Sequence, residues 1–92
     1  MAPEQRAGYR VRGLVQGVGF RWWTVRQAQR LGLRGTVRNM RDGSVEVMAA
    51  GPPGSLEELH RLLQQGPSGA RVSAVEPIDA PEELPATFEI AR

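Results

Sequence analysis

The sequence predicts a single α+β domain with two helices on one face of a mainly antiparallel sheet, and three observations carry that reading. Its 92 residues leave room for one domain with one modest core, since domains average roughly 100–150 residues. Its apolar pattern switches between strand alternation and helical spacing in the order β-α-β-β-α-β, with a short extra strand at the C-terminus. Glycine- and proline-bearing breaks fall between those segments.

Residues 1–6 are polar and are expected to be loose, which leaves 7–92 as the folded domain. Tyr9 and Val11 alternate with Arg10 and Arg12, a half-buried strand expected to end at Gly13. Val15 to Arg21 (VQGVGFR) is a glycine-bearing loop. Phe20, Thr24, Ala28 and Leu31 then recur one helical turn apart, and Gly32 is placed to stop the helix. Thr36 to Met40 and Ser44 to Ala49 read as two strands joined through Arg41-Asp42-Gly43, an Asp-Gly hairpin turn. Val45, Val47 and Ala49 supply the inner face of the second of them. After the break Gly51-Pro52-Pro53-Gly54, Ser55 and Glu58 have the spacing of a capping box. Leu56, Leu59, Leu62 and Leu63 form the apolar stripe of a second helix, which Gly66-Pro67 ends. Val72, Ala74 and Val75 begin a further strand. Pro81 and Pro85 punctuate a loop, and Thr87 to Ile90 is the short last strand. The order is that of the split βαβ, or ferredoxin-like, βαββαβ sandwich.

Rare residues exclude much chemistry. There is no cysteine, so disulfides and thiolate sites are impossible. His60 is the one histidine and lysine is absent, which removes His-rich metal sites, Schiff-base lysines and the phosphate-loop lysine. The start of the chain lacks the apolar core of a signal peptide, and no stretch approaches the ~20 apolar residues of a membrane span. A cytoplasmic protein without membrane contact is the default expectation.

Charge is uneven along the chain. Residues 1–41 hold nine arginines and one acid, a balance of +8, whereas residues 42–92 hold three arginines and nine acids, a balance of −6. The whole chain is only +2, so general nucleic-acid binding starts from weak support. The N-terminal half is where a small anion is attracted.

The loop Val15, Gln16, Gly17, Val18, Gly19, Phe20, Arg21 has what an anion needs. It joins a strand to a helix, so unsatisfied N–H groups gather at the positive end of the helix dipole. Gly17 and Gly19 can adopt positive φ and let successive N–H groups curl into a concave nest. Arg21 enters in the first turn, where a guanidinium fork can hold two phosphate oxygens. The spacing matches neither the dinucleotide pattern nor the Walker loop. On spacing alone, a plain β-to-α turn with a surface arginine is the favoured explanation. Asn39, the only asparagine, flanks the hairpin turn, and its amide can donate and accept at once, as holding a water requires. A turn asparagine bonding its own backbone explains it equally well.

Taken together, VQGVGFR, Ala28, LGL (Leu31 to Leu33), GTVRN (Gly35 to Asn39) and DGSVEV resemble the acylphosphatases. Gly51-Pro52, the Leu-rich second helix and Gly66 to Glu76 continue the likeness over roughly residues 7–92. The resemblance implies hydrolysis of a small-molecule acyl phosphate to a carboxylate and inorganic phosphate, without metal or cofactor. It makes Val15 to Phe20 the phosphate cradle, Arg21 the phosphate-binding arginine and Asn39 the residue that orients the attacking water. Gly19 stands where some members carry cysteine, which does not touch that chemistry. A cradle that also binds product is expected to make phosphate or sulfate a competitive inhibitor, and a monomer is expected. Acylphosphatase-like modules also occur within larger carbamoyl-transfer proteins, and the boundaries here favour a free-standing enzyme.

The residue inventory suits this reaction independently of the likeness. A carboxylate leaving group has a pKa of roughly 4.3 and needs no general acid. The phosphoryl transition state is loose, so positioning and charge stabilisation carry the catalysis. The alternative is a non-catalytic anion- or RNA-binding module on the same frame, although no central strand carries an aromatic-rich run. Trp22 and Trp23 as a base-stacking platform are disfavoured, because neighbours on a helix differ by about 100° and cannot share a face. Trp23, nearer the Phe20/Leu31 stripe, is expected to pack and Trp22 to be partly exposed. The doublets Glu57-Glu58 and Glu82-Glu83, His60 and the remaining arginines are expected to be mainly surface residues.

Overall fold

Alternation sets the frame of the first strand. Tyr9 and Val11 turn inward on β1 (Gln5–Leu14), while Arg10 and Arg12 turn away. The computed structural model describes residues 3–92, and β1 begins earlier than the expected loose segment 1–6 allows. Gln5 and Arg6 pair with Gly51 and Ala50, while Met1 and Ala2 lie outside the described residues. The strand also runs past Gly13, with a bulge in its pairing between Arg12 and Gly13.

Helix α1 (Phe20–Arg30) buries Phe20, Thr24, Val25 and Ala28. Thr24, which interrupts the apolar stripe, donates its hydroxyl to the Phe20 carbonyl at 2.8 Å, so its polarity is satisfied within the helix. Leu31 is the C-cap, and Gly32 follows at φ 73°. Strands β2 (Arg34–Asn39) and β3 (Val45–Gly51) form the expected hairpin, with Val37, Val45, Val47 and Ala49 fully buried.

Helix α2 (Pro53–Gln65) starts two residues before the expected capping box. Pro52 is its N-cap and no side chain caps it. Pro53 fits the first turn because it needs no hydrogen-bond acceptor there and has its φ preset. The Pro52 carbonyl already accepts from Ser55 N–H (3.0 Å) and Leu56 N–H (3.1 Å), so Ser55 is helical. Glu58 instead pairs with Arg61 one turn on. Leu56, Leu59 and Leu63 are buried and Leu62 is partly so; full burial of a leucine is worth about 1.5–3 kcal/mol.

Strands β4 (Arg71–Ile78) and β5 (Phe88–Ile90) complete a five-stranded sheet of order β4-β1-β3-β2-β5. Neighbours are antiparallel except β5, which lies parallel to β2. Helix α1 covers β2 and β5, and α2 covers β1, β3 and β4. This is the ferredoxin-like α+β sandwich. Residues 79–87 connect opposite edges of the sheet across the side away from the helices. Arg6 donates to the Glu82 carbonyl (3.4 Å), and Arg34 donates to Leu84 (2.6 Å) and Pro85 (3.3 Å).

Candidate active site

The VQGVGFR segment leaves the end of β1 and enters α1 through two left-handed glycines. Gly17 and Gly19 both sit at φ 76°. An added Cβ would meet nothing within 4 Å at either position, so backbone conformation rather than crowding calls for glycine here. Gly19 is the N-cap of α1, no side chain caps the helix, and the first helical bond runs from Trp23 N–H to the Gly19 carbonyl at 3.0 Å. The N–H groups of Gly17 through Trp22 have no acceptor among the described residues. Unpaired donors gathered at a helix N-terminus create the positive potential that attracts an anion.

Val15, Gly17, Gly19, Phe20, Arg21, Trp22 and Asn39 enclose a cavity of about 70 Å³. One water needs roughly 10–15 Å³ by this kind of measure, so the space suits a small anion with a water beside it. Val15 is buried beneath the loop, and the Phe20 ring is buried against Trp23 with centroids 5.4 Å apart. Arg21 is exposed and makes no ion pair among the described residues. Asn39 ends β2, opposite Val45, and its Oδ1 is buried with no hydrogen-bond partner among the described residues. A buried acceptor left without a partner is costly and calls for an explanation.

Two of the expected cradle residues do something else with their side chains. Val18 is half-buried and does not line the cavity. Gln16 donates its Nε2 to the carbonyls of Met40 (2.8 Å) and Ser44 (2.9 Å), tying the loop to the hairpin turn beside Asn39. Only the backbone N–H of Gln16 is left for an anion. The turn itself is held by Met40 N–H to the Ser44 carbonyl (2.8 Å), with Gly43 at φ 92°.

Asp42 in this turn accepts both the hydroxyl (2.6 Å) and the N–H (2.9 Å) of Ser44, with Arg12 at 3.3 Å. These hydrogen bonds, Ser44 first and Arg12 second, pull its carboxyl from 3.8 to about 2. A depressed carboxyl pKa stabilises the fold above the unfolded value and ceases to do so as pH falls through the folded one. The stability gap between the protein and Asp42→Asn is therefore expected to close as pH drops from 3.8 to about 2. A gap unchanged in thermal melts across that window contradicts the assignment.

Away from this corner, His60 stacks on Tyr9 with ring centroids 5.1 Å apart. Trp23 packs and Trp22 is 63% exposed, as expected. No cluster of three or more potential metal-ligating His, Asp or Glu side chains occurs among the described residues.

The profile of the acylphosphatase family matches residues 7–90. The chain belongs to the acylphosphatase family. It is 56% identical over 66 residues to an acylphosphatase of Nitrobacter hamburgensis, a match covering 72% of this chain and 67% of that protein. With an acylphosphatase of Rhizobium meliloti it shares 46% identity over 94 aligned positions, covering 100% of this chain and 99% of the other. The solved structure of an acylphosphatase from Coxiella burnetii superposes with a TM-score of 0.89 at 35% identity, over 96% of this chain and 93% of that one. These acylphosphatase relatives support a hydrolase acting as an acylphosphatase, and they do not favour the non-catalytic anion- or RNA-binding alternative. No helix among the described residues is long and apolar enough to cross a membrane.

Proposed function

We propose that the chain hydrolyses small-molecule acyl phosphates with the phosphoryl group seated in the 15–21 loop and on Arg21, and the attacking water held by Asn39. The observation that carries this reading is that Asn39, whose Oδ1 has no partner among the described residues, lines the same cavity as Arg21 and the free N–H groups. Oδ1 accepts a hydrogen bond from the water, which turns an oxygen lone pair toward phosphorus. The water oxygen bonds to phosphorus as the bond to the acyl oxygen breaks, and the electron pair leaves with the carboxylate. The water's proton passes to a phosphate oxygen, because no side-chain base lines the cavity. Arg21 and the N–H groups stabilise the charge on the equatorial oxygens.

A carboxylate leaves without protonation, so this site needs neither a general acid nor a metal, in keeping with the family. A phosphate monoester expels a far more basic alkoxide and is expected to be a poor substrate. The proposed enzyme is monomeric and cytoplasmic.

The decisive experiment is phosphate release from acetyl phosphate and benzoyl phosphate in the presence of a chelator. Absence of release from both overturns the reading. Because the cradle also fits product, inorganic phosphate or sulfate is expected to inhibit competitively. Phosphate at about 100 times its Kd should add roughly 2.7 kcal/mol of stability. A rise in Tm that persists in Arg21→Ala would place the anion elsewhere.

A further inference from the structure

Beside the small cavity lies a wider groove of about 750 Å³ between α1 and β5. Its apolar lining is Trp22 and Val25, three apart on α1, and Phe88 and Ile90, two apart on β5, with the charged side chains of Arg38, Glu89 and Arg92 also lining the groove. Cavity and groove share three residues, Arg21, Trp22 and Asn39. In the proposed reaction Arg21 holds the phosphoryl group and Asn39 the water, so the third shared side chain has no role there. It is also a 63% exposed indole, one of the two large apolar side chains left out in solvent among the described residues. One exposed indole is ordinary on a protein surface; what sets this one apart is that it lines both the cavity and the groove.

The size of the cavity bears on where the acyl group lies. About 70 Å³ seats a phosphoryl group and a water, so the acyl group has to lie outside it. Trp22, in the first turn of α1, carries the wall of the cavity on into the groove. We propose that Trp22 is a specificity-determining residue that seats the acyl group of the substrate, with the groove behind it selecting planar, apolar acyl groups over small ones. The indole offers a flat face for offset stacking, and Val25 and Ile90 continue the apolar surface beyond it. This inference rests on the hydrolase reading and adds the class of substrate to it.

The test compares kcat/KM for benzoyl phosphate and acetyl phosphate in the native protein, Trp22→Ala and Trp22→Phe. The exposed position of Trp22 on α1 makes both variants expected to fold, which thermal unfolding checks. The native preference for benzoyl phosphate over acetyl phosphate is expected to fall about tenfold in Trp22→Ala and to be largely kept in Trp22→Phe. Inhibition by inorganic phosphate, which has no acyl group, is expected to change less than twofold. An unchanged substrate ratio in a folded Trp22→Ala overturns the inference and leaves the hydrolase reading standing. Equal losses on both substrates with weakened phosphate inhibition also overturn it, since Trp22 would then be shaping the cradle. A native protein inactive on both substrates brings down the hydrolase reading and this inference together.

Discussion

Arg21→Ala is expected to lower hydrolysis of acyl phosphates by about three orders of magnitude or more while leaving the fold intact. The fold is spared because the Arg21 side chain is exposed and has no ion-pair partner among the described residues to lose. Catalysis is not spared, because the cavity has no other cationic side chain in its wall. Arg21→Lys is expected to recover little, since a point charge does not reproduce a planar two-pronged fork. Phosphate inhibition and the phosphate-dependent rise in Tm should disappear together with activity. Substantial turnover in either folded variant contradicts the role given to Arg21.

Asn39→Ala is expected to separate chemistry from binding. Its proposed partner is the water, so kcat should fall by about two to three orders of magnitude, with competitive phosphate affinity nearly unchanged. Because its Oδ1 has no protein partner, truncation gives up no hydrogen bond through that atom, and the variant is expected to be at least as stable as the native chain. A turn-stabilising asparagine would behave oppositely, losing stability with little kinetic change in the folded fraction. Asn39→Asp is nearly isosteric, but at neutral pH it loses the donor and sets a negative charge beside an anionic substrate. It too should be crippled. If Asn39→Ala weakens phosphate inhibition as much as Arg21→Ala while kcat is kept, Asn39 is a binding residue. Melts and kinetics on the same preparations decide.

Local signals made most of the fold legible. The alternation in β1 and β3, the leucine stripe of α2 and the Asp-Gly turn each act over a few residues, and each element stands close to where its pattern puts it. The start of α2 departs from the Ser55–Glu58 capping box because two N-terminal signals compete there. Pro52-Pro53 begins the helix first, which leaves Ser55 inside it and frees Glu58 for Arg61. The early start of β1 depends on Gly51 and Ala50 as partners, which no local pattern in residues 1–6 announces. The left-handed course of the 15–21 loop was legible because its glycines are contiguous with the strand and helix they join. Gln16 was not, because its side chain acts on carbonyls of a distant turn. The groove was hidden for a similar reason: one wall exists only because β5 adds alongside β2.

The placement of β1 between β3 and β4 has a consequence in time. Its ladder partners are made late in the chain, Gly8 meeting Met48 on one side and Ile78 on the other. Such distant pairings require large loops to close before they are rewarded, so folding should take milliseconds to seconds rather than the microseconds of a helical bundle. The anion loop leaves the end of β1, and its tether through Gln16 needs the β2–β3 turn in place. The loop therefore takes its shape only after the sheet has assembled, late in folding. An ion that recognises the finished loop stabilises the native state without helping the chain over its barrier. Phosphate should accordingly prolong the lifetime of the folded molecule and leave its rate of birth almost untouched.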